Sequence, residues 1–370
     1  MIWLSKSTLT KAEKRAVLGV LDREYLGMGE EVKQFEEALS DFFGRPAVCV
    51  ANGTAALHLA FQAAGIGAGD EVLVQSLTYV ASFQAISATG AKPVACDVDP
   101  STLTLDFNDA AKRLTPSTKA VLPVHYAGGV GDIDGIYDFA ERHGIRVVED
   151  AAHAFGGQHG GAHVGSFGDI ACFSFDGIKT ITSGEGGCVV TEDQEIINKV
   201  RDARLLGVER DTERRYAGER SWDFDVTAQG WRYHMSNIMA AIGMEQLKRI
   251  SEISQVRQKL ASRYNARLNG WKNLRVLPND YTQVVPHIYP VILEAGQDRN
   301  KIREALDKKE IQTGVHYQPN HWLTAYVDDT ALPLPATEAV YPKLLSLPLH
   351  LDMSEKDVDY VCETLQELTM

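Results

Sequence analysis

Between residues 48 and 150 short apolar runs alternate with helical patterns, and this alternation restricts the possible folds more than any other feature of the chain. The runs 48–50, 71–75, 92–97, 120–124 and 146–150 have the length and the valine-rich character of strands. Between them, residues 55–64, 80–87, 106–114 and 133–143 read as helices. Strands that alternate with helices build a mostly parallel sheet covered on both faces. Ligands of such sheets bind beyond the carboxyl ends of the strands, so the turns that follow the strands are where chemistry is expected.

The flanking sequence extends this frame. Residues 8–22 read as a helix that Ser7 or Thr8 can cap, and Val32, Phe35, Leu39 and Phe43 mark a second helix stopped by Gly44. Residues 205–232 are polar, arginine-rich and weakly periodic, as in a long functional loop. A helix from about residue 237 to 260 and beyond closes the first half. Strand-like runs at 274–277 and 287–292 and helices at 300–308 and 354–367 then describe a smaller α+β unit. The expected division is a large α/β domain over residues 1–249 and a small C-terminal domain over 250–370.

Composition narrows the function. A net charge of −13 argues against a general nucleic-acid binder, although a local arginine cluster would still suit an anionic small substrate. Five cysteines are scattered with no CxxC pair, which suggests free buried thiols in a reducing compartment and no metal site. No signal peptide and no apolar run of membrane-spanning length is evident, so a cytoplasmic protein without a membrane partner is expected.

Four places at strand ends carry reactive groups. Lys179 lies between the strand-like runs 170–173 and 188–191, on a connection where Gly184, Gly186 and Gly187 permit close backbone approach. It reads either as a solvated loop lysine or as a reactive one. Gly53 and Thr54 open a helix, where backbone N–H groups suit a phosphate, or where Thr54 is simply a cap. Asp150 ends an apolar strand and needs a partner if buried, for which a protonated ring nitrogen would serve. His153 follows it, as a structural histidine or as part of the same cleft. A phosphate cradle, an aspartate, an aromatic and a lysine on one sheet edge are what pyridoxal phosphate (PLP) requires: the lysine forms the Schiff base and the aspartate keeps the pyridine nitrogen protonated.

The segments SLTYVAS (76–82), VEDAAHAFGG (148–157), GSFGDIACFSFDGIKTITSGEGG (165–187) and LSLPLHLDMSEKDV (345–358) resemble the DegT/DnrJ/EryC1/StrS family. The resemblance runs over nearly the whole chain. It implies the aspartate-aminotransferase-like fold (PLP fold type I), with a mostly parallel central sheet flanked by helices and a smaller α+β C-terminal domain. It implies a homodimer with active sites at the subunit interface, and an aminotransferase that carries pyridoxamine phosphate during its cycle. The expected partners are L-glutamate, with 2-oxoglutarate as its product, and a nucleotide-linked keto sugar. The sugar expected is a dTDP-4-keto-6-deoxyhexose or a UDP or GDP analogue, with a product destined for O-antigen, lipopolysaccharide or a related glycan. An inosose, a lipid-linked keto sugar or a non-catalytic binding role are the alternatives.

The same resemblance assigns roles. Lys179 is the Schiff-base lysine and general base, Asp150 the pyridinium partner and His153 the contact to the ring hydroxyl. Tyr79 stacks on the ring, while Gly53, Thr54 and Ser174 hold the phosphate. Where the family often has Gly-Tyr-Asn-Tyr-Arg-Met, this chain has 230–235 GWRYHM, so Arg232 replaces an asparagine that reaches the neighbouring subunit's phosphate. Arg232 serves that phosphate or the substrate's diphosphate. Arg204, Arg210, Arg214, Arg215 and Arg220 are candidates for a diphosphate clamp or for a solvated charged loop. Tyr317 and His321 lie where the small domain approaches the sugar.

Overall fold

The computed structural model describes residues 1–220, 222–294, 296–328 and 330–370. Two helices lead in, α1 (Lys11–Asp22) and α2 (Glu30–Phe43). Thr10, rather than Ser7 or Thr8, caps α1, because Glu13 three residues on completes a reciprocal capping box. The Ser7 hydroxyl donates instead to the Gly177 carbonyl, tying the N-terminal segment to the lysine-bearing loop. Gly44 ends α2 in the left-handed region at φ 67°.

The alternating stretch follows: β1 (Ala47–Val50), α3 (Gly53–Ala63), β2 (Glu71–Gln75), α4 (Val80–Ala88), β3 (Lys92–Cys96), α5 (Phe107–Lys112), β4 (Thr118–Leu122), α6 (Ile133–His143) and β5 (Arg146–Asp150). A small hairpin, β6 (Gln158–His159) and β7 (Ala162–His163), precedes β8 (Ile170–Ser174) and β9 (Gly187–Thr191). The seven-stranded sheet has the order β1-β9-β8-β5-β4-β2-β3. All its strands run one way except β9, which is antiparallel to both β1 and β8. The carboxyl ends of β1, β2, β4, β5 and β8 therefore meet along one edge. Apolar cores fill both faces, one around Phe61, Phe83 and Ile86, others around Phe35, Phe173 and Phe175 and around Ile136 and Phe139.

Helix α7 (Gln194–Ala203) leads to the arginine-rich excursion, which holds a short helix, α8 (Asp211–Tyr216). The long helix expected from residue 237 is two helices, α9 (Asn237–Lys248) and α10 (Ile250–Leu268). They part at Arg249, whose guanidinium bonds Glu13 of α1 and Glu252 of α10. The remaining elements are β10 (Leu274–Val276), β11 (Tyr289–Leu293), α11 (Arg299–Lys308), α12 (Pro335–Val340), β12 (Leu344–Leu347) and α13 (Glu355–Leu368). β10, β11 and β12 form an antiparallel sheet with its own apolar core against α10 and α13. The N-terminal residues join this smaller unit, where Ile2 bridges Ile311.

Arg204 corrects one expectation. It is fully buried, not part of a clamp: it pairs with Glu36 of α2, donates to the Cys49 carbonyl at 2.6 Å and to the Tyr216 hydroxyl at 3.0 Å. Glu36 also accepts from the Cys49 N–H at 2.8 Å and from Tyr216. This network pins α8 to the body of the protein. Arg204→Met leaves a buried carboxylate without its counter-ion, so a loss of about 3–5 kcal/mol of stability is expected in denaturant unfolding.

Among the described residues, no helix is long and apolar enough to cross a membrane, and no His, Cys, Asp and Glu cluster could hold a metal ion. The five cysteines are buried free thiols.

Candidate active site

The sheet edge carries a cavity of about 470 Å³ lined by Lys179, Asp150, His153, Gly53, Thr54, Tyr79, Ser174 and Tyr317, with Asp176, His287 and His316 among the others. Each wall follows from a local rule. Asn52 caps α3, its side chain accepting from the Ala55 N–H at 2.8 Å. Thr54 is thus not the cap, and the first-turn N–H groups of Gly53 and Thr54 stand at an open helix end that favours an anion. Gly53 is needed for close approach: a Cβ there would come within 2.8 Å of the Ser174 Cβ.

Asp150 is buried at the end of β5. Its carboxylate accepts from the Ser82 hydroxyl at 2.8 Å and from the Ala152 N–H at 3.2 Å. Ser82 is itself 3.0 Å from the Thr78 hydroxyl. Opposite, the β8–β9 connection is folded rather than loose. Phe175 N–H donates to the Gly186 carbonyl, Ser183 N–H to the Phe175 carbonyl, and Lys179 N–H to the Asp176 carbonyl. Gly186 has φ 159°, and a Cβ there would meet Met235 at 2.8 Å.

Burial lowers the Lys179 amine from its ordinary 10.5 to about 8, against the opposing pull of Asp150 and Asp176. Three imidazoles surround it. His153 and His287 lie 4.6 Å apart, ring to ring. Burial, then the nearby Lys179, holds both well below the usual histidine value. His316 falls to about 4 for the same reasons, and its Nδ1 lies 2.7 Å from the Ser346 hydroxyl. His153 Nε2 lies 3.0 Å from the Tyr317 hydroxyl, while its Nδ1 is buried with no protein partner among the described residues.

Four residues considered from the sequence stand elsewhere. Arg232 is exposed on the strand-like return of the excursion, bridging Leu205. Arg215 is bonded to Asp211 at 2.8 Å, and Arg210 is exposed beside a separate surface cavity. His321 lines another cavity of about 790 Å³, with Nδ1 2.7 Å from the Ser76 hydroxyl and Nε2 3.5 Å from Glu338. Sequence reasoning missed Asn52, Ser82, Asp176, His287 and His316. Asn52 had a signal, an Asn-Gly-Thr turn before an apolar helix. His287 was hidden at the head of a strand-like run, but β11 starts only at Tyr289 and leaves it in the connection.

A buried lysine of lowered basicity facing a carboxylate, beneath a helix N-terminus on the carboxyl edge of this sheet, is the arrangement of a PLP-dependent enzyme. The chain belongs to the DegT/DnrJ/EryC1/StrS aminotransferase family, whose profile matches residues 7–366. The spore coat polysaccharide biosynthesis protein SpsC of Bacillus subtilis is 36% identical over 368 residues, covering 97% of this chain and 94% of its own. The putative sugar aminotransferase Spr1654 of Streptococcus pneumoniae, solved in its PMP form, superposes with a TM-score of 0.93 at 30% identity, covering 100% of this chain and 99% of that one. DesI, solved in the presence of its TDP-sugar product, superposes with a TM-score of 0.88 at 29% identity, covering 100% and 93%.

The cavity suits PLP. The unpartnered His153 Nδ1 offers a contact for a ring substituent, and the Gly53–Ser174 approach leaves open N–H groups for the phosphate. Two expected results follow. Gly53→Ala forces the end of α3 away from Ser174 and weakens PLP binding about tenfold, as overpacking of this kind does, measured by equilibrium titration of the cofactor-free protein. Since Lys179 is an amine above about pH 8 rather than above 10.5, the rate of PLP uptake rises with pH and levels off near 8. A rise continuing beyond pH 10 would show a lysine in water.

Proposed function

We propose that the chain transfers an amino group from L-glutamate to a nucleotide-linked keto sugar, a dTDP-4-keto-6-deoxyhexose or a UDP or GDP analogue. The observation that carries this reading is Lys179 facing Asp150 across a cavity closed by the N-terminus of α3. A nucleotide-linked sugar is supported by DesI and its TDP-sugar product. The kinship to SpsC supports a product destined for a polysaccharide, here an amino sugar for an O-antigen or another surface glycan.

In this reading the bound cofactor supplies an electron sink for the carbon that exchanges its amino group. Lys179 holds the cofactor and, when released from it, moves the proton to and from that carbon; an amine that loses its proton near pH 8 suits both tasks. Asp150 keeps the pyridine nitrogen protonated, and His153 contacts the ring hydroxyl. Gly53, Thr54 and Ser174 hold the phosphate. Tyr79, whose side of the cavity is open with 58% of the residue exposed, covers the ring. The working form is a homodimer in the cytoplasm: Trp222 and Phe224 stand exposed on the excursion, and a second copy covers them. That copy brings its Arg232, Arg210 and Arg215 toward the open side of the cavity. The two domains divide at Arg249.

The test is the visible spectrum of the purified protein before and after L-glutamate. A yellow band that bleaches with glutamate is the expected result. A band that persists excludes glutamate as donor, and a protein that stays colourless with added PLP and added keto acid overturns the reading.

A further inference from the structure

We infer that Tyr317 is a positioning residue that fixes the tautomer of His153, so that the imidazole presents an N–H, and not a lone pair, to the ring oxygen of the cofactor. This rests on the reading that places the cofactor ring between Asp150 and His153.

A neutral imidazole has one donor and one acceptor nitrogen, and the hydrogen bond made by one nitrogen decides the character of the other. The His153 ring is buried, and its only polar contact among the described residues is the Tyr317 hydroxyl, 3.0 Å from Nε2. A phenol is the stronger acid of the two and an imidazole nitrogen the stronger base, so the O–H donates to Nε2. The proton of His153 then resides on Nδ1, the atom left without a protein partner.

The surroundings keep the ring neutral. Lys179, His316 and His287 face it, Tyr126 stands 6.5 Å away ring to ring, and Asp150 and Tyr79 border Tyr317. Burial first, and then Lys179 and His316, oppose a second proton on His153, so tautomer choice, not ionisation, is what the environment can set. Tyr317 itself rests against Tyr79, the two rings tilted at 47° with centroids 5.5 Å apart, and its neighbour His316 accepts from the Tyr126 hydroxyl through its carbonyl. The segment carrying Tyr317 is tied to the smaller sheet through His316 and Ser346, so the small unit sets the proton position on a residue of the large one.

An N–H donated to the ring oxygen draws charge from it and makes the neighbouring lysine-linked nitrogen less basic. Loss of the donor lets that nitrogen keep its proton to higher pH. Tyr317→Phe removes the hydroxyl and keeps the ring.

The experiment uses full-length protein labelled with 15N-histidine, with the His153 signals identified by their loss in His153→Gln. In the cofactor-free parent the nitrogen shifts are expected to show Nδ1 protonated, and in Tyr317→Phe a population moved toward protonated Nε2. After loading with PLP, the pH midpoint of the visible band is expected to rise by about one unit in Tyr317→Phe, a tenfold change in that proton equilibrium. Protonated Nε2 in the parent, an unchanged tautomer in the variant, or a changed tautomer with an unmoved midpoint each overturns the inference. Lys179→Ala separates the two readings. If it abolishes the lysine-linked band while Tyr317→Phe has no effect, only the tautomer inference fails. If the band survives in Lys179→Ala, the placement of the cofactor fails with it.

Discussion

Lys179→Ala is expected to fold, to bind PLP without a covalent link and to turn over at least about 10⁴-fold more slowly than the parent. General-base assistance alone accounts for about 10²–10⁴-fold in such reactions, and in the proposed role this lysine also holds the cofactor. The amine is lowered from 10.5 to about 8 in the folded chain even after the attraction of Asp150 and Asp176. The unfolded state therefore binds the proton more tightly, and at pH 7 the charged lysine opposes folding. Removing it leaves the cofactor-free protein as stable as the parent or more so. Borohydride reduction followed by peptide mass spectrometry reads the covalent link directly, with a pyridoxyl adduct on Lys179 in the parent and none in the variant. Near-parental turnover, or an adduct on another lysine, would reject the role given to Lys179.

What the sequence disclosed and what it hid divide along a physical line. Strand ends and turns are local: Gln75, Asp150 and His143 close their elements where the apolar runs stop, and Lys179 sits among glycines whose spacing alone marks a tight connection. The residues that gather around the cavity from the large unit all lie within a few positions of such ends, which is why the parallel sheet brings them together. Contacts between distant parts of the chain leave no such trace. Arg204 looked like its neighbours in an arginine-rich stretch, yet it alone is fully buried, because its partner Glu36 lies 168 positions away. His287 and His316 come from the small unit, and nothing near them in sequence points to Lys179. The two helices α9 and α10 read as one because Arg249 is itself a good helix former. Its ties to Glu13 and Glu252 coincide with the break.

Asp150→Asn tests the electrostatic half of the proposed site. The substitution is nearly isosteric, and the local hydrogen bonds can survive it. The amide oxygen accepts from the Ala152 N–H, the amide NH₂ donates to the Ser82 oxygen, and Ser82 then donates to Thr78. What is lost is the charge. A buried carboxylate paired with a protonated ring nitrogen is worth about 3–5 kcal/mol when one partner is removed, so kcat is expected to fall by about 10²–10⁴-fold. Its neighbour Glu149 cannot take over, because it points to the opposite face of β5, where it bonds His125 at 2.6 Å. Cofactor content should change far less than rate, because the proposed phosphate site at Gly53, Thr54 and Ser174 is untouched. The variant thus separates holding the cofactor from activating it, and the measurement is kcat alongside PLP stoichiometry. Unchanged kinetics would mean that another group holds the ring nitrogen. Equal losses of cofactor and rate would mean that Asp150 shapes the cavity instead of tuning the ring.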